Sequence, residues 1–100
     1  MKIIRGTTPT FQFTFNTIDI SDISVAYLSI KQSTGYLIEK TNPTIEDNKL
    51  CWTLTQEETL SLNPDRDCEL VCDWKMNDGT RGRSEIVRFD VEDTIKNEVI

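Results

Sequence analysis

The chain has 100 residues, enough for one domain with a single core and too short for two ordinary ones. Its 37% apolar and 28% charged residues are close to globular averages, which weighs against wholesale disorder. Its net charge of −6 weighs against partners that need positive charge, namely nucleic acid and anionic membrane surfaces.

No apolar run approaches the ~20 residues of a membrane span. Lys2, Arg5 and Gly6 interrupt the start of the chain before a secretory apolar region could form. The expected setting is the cell that makes the protein, or a particle assembled there.

Residue choice favours strands. Eleven Ile, five Val, thirteen Thr and eight aromatics stand against one alanine, Ala26, although alanine is the best helix former. Taken in chain order, Lys2–Arg5 predicts a short strand. Pro9, which lacks a ladder donor, then breaks the chain, so the first strand should kink into two parts and cross between sheets. Thr10–Asn16 places Phe11, Phe13 and Phe15 on one face. A turn follows over 17–22. Ser24–Gln32 points Ala26, Leu28 and Ile30 inward, with Val25, Tyr27, Ser29 and Lys31 outward.

Ser33-Thr34-Gly35 reads as a hairpin turn into a returning strand, Tyr36–Thr41, whose face the adjacent Leu37 and Ile38 leave open. Ile45 suits a short strand before the Asp47-Asn48 turn. Leu50, Trp52 and Leu54 alternate inward. Thr55-Gln56-Glu57-Glu58 fits a helix-capping box, predicting one short helix near 56–61 with Leu60 and Leu62 folded onto the sandwich and Asn63-Pro64-Asp65 as its stop. Residues 68–76 put Cys68, Leu70, Cys72, Trp74 and Met76 on one face. Asn77-Asp78-Gly79 is the strongest hairpin signal. The partner strand, Arg83–Val91, turns Val87, Phe89 and Val91 inward. Residues 92–100 form a tail that could move independently. The expected architecture is one all-β domain over 1–100: an immunoglobulin-like antiparallel sandwich of about seven strands, without the antibody Cys–Trp–Cys pattern.

The catalytic inventory is thin. There is no histidine, hence neither the commonest general base nor the commonest metal ligand. Cys51, Cys68 and Cys72 read as reduced thiols. On a strand, Cys68 and Cys72 would lie ~13 Å apart, beyond the ~7 Å reach of a disulfide. Glu57 and Glu58 belong to the capping box. Asp65, Asp67 and Glu69 read as a solvated turn rather than a calcium loop. No base is placed to activate a threonine, and the glycines form no phosphate-binding motif. Arg81, Arg83 and Arg88 have acidic neighbours and read as an ion-paired face. The reading is therefore non-enzymatic, with no cofactor, metal or small-molecule substrate.

Charge is unevenly placed: residues 1–50 are neutral overall, and residues 51–100 carry six basic and twelve acidic groups. The termini carry apolar residues with no assigned place in the sandwich: Ile3 and Ile4 at one end, Ile95, Val99 and Ile100 at the other. These five are the candidate interaction residues; the alternative is that Ile3 and Ile4 form the first half of a kinked edge strand and the tail packs on its own domain.

Three features together resemble small prophage-encoded proteins. They are Arg5-Gly6-Thr7-Thr8-Pro9-Thr10-Phe11 opening a Phe-alternating strand, Leu54-Thr55-Gln56-Glu57-Glu58-Thr59-Leu60 in mid-chain, and a late Asp-Gly hairpin before a tail ending in Val-Ile. The layout is also similar to the N-terminal domain of phage baseplate upper proteins. Thr7 departs from that family, which often has Asp there, and Asn63-Pro64-Asp65-Arg66 replaces its usual Gly-containing turn. The resemblance implies a virion component of the tail or baseplate, assembled in the bacterial host cytoplasm. Its partners would be other virion proteins, with an oligomer expected. The alternative reading is a small acidic phage-encoded inhibitor of a host protein, presenting carboxylates where nucleic acid would bind.

Overall fold

The computed structural model describes residues 2–33, 35, 37–96 and 98–100. Among them are nine strands: β1 (Lys2–Ile4), β2 (Thr10–Thr14), β3 (Ile23–Gln32), β4 (Leu37–Lys40), β5 (Thr44–Glu46), β6 (Lys49–Thr53), β7 (Cys68–Met76), β8 (Arg81–Arg83) and β9 (Val87–Glu92). One helix, α1 (Gln56–Leu60), and a 3-10 turn (Ile20–Asp22) complete the fold. The larger sheet runs β1-β9-β7-β3-β4, with β8 also on β7, and the smaller runs β2-β6-β5. The chain is an all-β sandwich. Its last and penultimate strands share a sheet with its third and fourth, as in immunoglobulin-like domains.

The kink at Pro9 does place the first two strands in different sheets. β1 lies parallel to β9, with Ile3 opposite Val91, and β2 lies antiparallel to β6, with Phe11 opposite Trp52. Gly6, at φ 83°, makes the bend. The sandwich is thus not wholly antiparallel.

The nine strands against about seven expected come partly from this split and partly from a bulge in the last strand. Asp73 pairs with Arg83 but Leu70 pairs with Val87, so four steps on one strand answer three on the other. The extra residue separates β8 from β9. Ser84 bridges the break: its N–H donates to the Cys72 carbonyl (2.8 Å), and its Oγ accepts from the Cys72 N–H (2.9 Å).

Alternation is realised in β3, whose Ala26, Leu28 and Ile30 are buried, and in β7, whose Cys68, Leu70 and Cys72 are buried. Each large aliphatic side chain so removed from water contributes ~1.5–3 kcal/mol. In β4 it is Ile38 that turns inward, opposite Ile30, while Leu37 stays exposed opposite Lys31. Aromatic pairs help join the two sheets: Phe11 meets Phe89 at 6.0 Å between ring centroids, and Phe15 meets Trp74 edge-on at 5.0 Å.

Phe13 and Trp74 pack against the core as expected, each half-buried, whereas Val87, beside the bulge, does not and is exposed. Of the expected hairpin and returning strand, Thr34 and Tyr36 lie outside the described residues. The Asp-Gly hairpin forms as expected, with Gly79 at φ 92° and the Thr80 N–H donating to Asp78 (2.9 Å). No helix among the described residues is long and apolar enough to cross a membrane.

Candidate interaction surface

The capping box closes α1 as its sequence predicts. The Glu58 N–H donates to Thr55 Oγ1 (3.1 Å), and the Thr55 N–H donates to Glu58 Oε1 (2.8 Å). The same carboxylate accepts from Lys40 Nζ (2.8 Å). Burial pulls the Glu58 carboxyl upward, but Lys40 and the Thr55 N–H outweigh it and hold the carboxyl below its ordinary value.

Leu62 folds onto the sandwich as expected, but within α1 the buried residue is Thr59 rather than Leu60. Thr59 is fully buried, and Leu60 is only half-buried. Thr59 Oγ1 accepts from the Gly6 N–H (3.0 Å) and lies 2.8 Å from the Thr7 carbonyl, to which it donates. Arg5 Nη2 donates to the Leu60 carbonyl (2.7 Å), and the Leu54 N–H donates to the Pro9 carbonyl (3.0 Å). The segments Arg5–Phe11 and Leu54–Leu60, remote in sequence, therefore meet in one junction that holds the crossover of the first strand. A buried threonine gave no periodic signal, because hydropathy alone favours Leu60 for that place.

The five candidate interaction residues divide. Ile3 follows the edge-strand alternative: it is buried in the core opposite Val91, because β1 is a paired strand. Ile4, on the opposite face of the same strand, is exposed. Ile95 is fully exposed, Ile100 is 85% exposed and Val99 is half-exposed.

The tail is nonetheless held to the domain. Arg5 Nη1 donates to Asp93 (2.5 Å), drawing that carboxyl below its ordinary value. The Ile100 N–H donates to Gln56 Oε1 (2.8 Å), and Gln56 Nε2 donates back to the Ile100 carbonyl (3.2 Å). Val99 lines a groove with Thr8, Thr53, Leu54 and residues 55–57.

A second apolar area lies on the outer face of the larger sheet, where Leu37, Val71 and Ile86 line a shallow depression edged by Lys31, Asp73 and Arg83. Of the basic residues near the hairpin, Arg83 and Arg88 are ion-paired with carboxylates across the strands rather than with their chain neighbours: Arg83 with Asp73 (2.6 Å) and Arg88 with Glu69 (3.7 Å). Asp67 stands beside Asp90, and a hydrogen bond between the two carboxyls, then their like charge, raises the Asp67 carboxyl above its ordinary value.

All three cysteines are buried. Burial pushes the Cys68 thiol to about 11 and the Cys72 thiol to about 12, which suppresses the reactive thiolate. No group of three or more metal-ligating side chains occurs among the described residues. No protein-family model matches the chain, and no curated protein matches it in sequence.

Proposed function

We propose that this protein is a non-enzymatic assembly module of a phage particle, in the tail or baseplate, acting through protein–protein contacts. The observation that carries the assembly reading is the tail. Ile95 and Ile100 stand in water on a segment anchored by polar contacts at Asp93 and Ile100. Apolar side chains kept in such a place favour a protein partner. The phage setting rests on the likeness of Arg5–Phe11 and Leu54–Leu60 to prophage-encoded proteins.

The acidic-inhibitor alternative has the Asp67–Asp90 pair in its favour. Against it, six of the twelve acidic side chains of residues 51–100 face cations: Glu58, Glu69, Asp73, Glu92, Asp93 and Glu98. A phosphate mimic needs its carboxylates in a free row. Quantitative mass spectrometry of purified particles tests the assembly reading: fixed stoichiometry with tail proteins supports it. Absence from particles, with stoichiometric capture of a host protein, overturns it.

A further inference from the structure

Two glutamines grip backbone in the same way. Gln32 Nε2 donates to the Asn63 carbonyl (2.8 Å) while its Oε1 accepts from the Asn63 N–H (2.8 Å). Gln56 repeats that exchange with Ile100. A side-chain amide so placed imitates one residue of a neighbouring strand, so it recognises extended backbone whatever the side chain there. The two grips differ in their surroundings. Gln32 is 3% exposed and fixes an internal loop, whereas the bonds of Gln56 to Ile100 lie at the surface. Val99 beside it forms one wall of the groove.

We propose that the groove beside α1 receives the Glu98–Ile100 segment of a second copy of this chain in place of its own, so that copies associate by exchanging this segment. The occupant is specified by what already fits: the segment that bonds Gln56 and walls the groove is identical in every copy. Exchange keeps each bond made at the groove and asks only the connecting chain to reach across, which is how swapped elements join subunits at low cost. The path after β9 suits this. It leaves the sheet at Glu92, is pinned to the domain at Asp93 by Arg5, and carries Ile95 without cover. When two copies meet, Ile95 lies on the connecting chain and can be buried between them. The helix N-terminus plays no part, because the N–H of Glu58 is already capped by Thr55.

This inference deepens the assembly reading and rests on it, yet its test needs no phage particle. Full-length protein carrying Glu57→Cys is mixed with differently sized full-length protein carrying Val99→Cys, and the mixture is oxidised. The three native cysteines are buried and do not compete. A covalent heterodimer is expected, lost when Gln56→Ala is added to the first partner and not formed when Thr44→Cys on the far β5 strand replaces Glu57→Cys. The double variant Glu57→Cys/Val99→Cys on one chain reports that the segment seats and the fold is intact. If that chain closes its internal bridge while the mixture gives no heterodimer above the Thr44→Cys control, exchange between copies is overturned. Heterodimer formation by a protein absent from particles would sink the phage reading and leave this one standing.

Discussion

Gln32 and Asn63, thirty-one residues apart, are joined by two hydrogen bonds of 2.8 Å, one in each direction, between a buried side-chain amide and a single backbone unit. A further bond from Gln32 Nε2 reaches the Arg66 carbonyl (3.2 Å). Strand β3 thereby fixes the loop that carries the chain from α1 to β7.

Gln32→Ala should cost about 1–3 kcal/mol of unfolding free energy, because it removes the partner of the part-buried Asn63 N–H and of the Asn63 and Arg66 carbonyls. Gln32→Glu keeps an acceptor for the Asn63 N–H but sets a carboxylate against both carbonyls, and should cost at least as much at neutral pH. Urea unfolding of the two variants beside wild type measures both. A loss below ~0.5 kcal/mol for Gln32→Ala would show that the loop needs no clamp.

Gly82 has no room for a side chain. A Cβ there would lie 2.4 Å from Trp74 Cε2, since the indole of Trp74 occupies the space above its paired residue. Gly82→Ala should therefore destabilise the fold by ~1–3 kcal/mol and shift Trp74 fluorescence as the ring is displaced. Trp74→Leu should relieve the clash, so the double variant should lose less than the sum of the two single losses.

The thiols should be slow to modify in the native protein. With Cys68 raised to about 11 and Cys72 to about 12, little thiolate exists near neutrality, and the shell around each excludes reagent. Titration with a disulfide reagent should show labelling that follows unfolding, quickening with urea. Fast labelling of Cys72 in buffer would contradict its burial.

Glu58 should make stability fall on the acid side. Its folded carboxyl lies below the ordinary 4.5, so the contribution is complete above that value and is lost as pH drops through the folded value. Asp19, Asp78 and Asp93 are lowered too and act in the same direction. The difference between wild type and Glu58→Gln isolates the residue: it should be largest above pH 4.5 and shrink below. A difference constant from pH 7 to 3 would remove Glu58 as the cause.

By itself the sequence determined whatever depends on neighbours a few positions apart. Period-two alternation marked β2, β3 and β7, because successive side chains of a strand point to opposite faces. The capping box marked α1, because its partners are three residues apart. Pro9 marked the crossover, because it lacks a ladder donor.

Tertiary structure decided what depends on residues far apart in the chain. Ile3 became core because β9 lies beside it, and no local pattern says which strand that will be. Val87 keeps the alternating phase but lies beside a bulge, so it is exposed despite facing Leu70. Thr59, not Leu60, fills the space under α1, because the turning backbone at Gly6 and Thr7 needs a hydroxyl there to satisfy an N–H and a carbonyl. The seat of Ile100 on Gln56 likewise joins positions forty-four residues apart through polar backbone bonds, which hydropathy does not register.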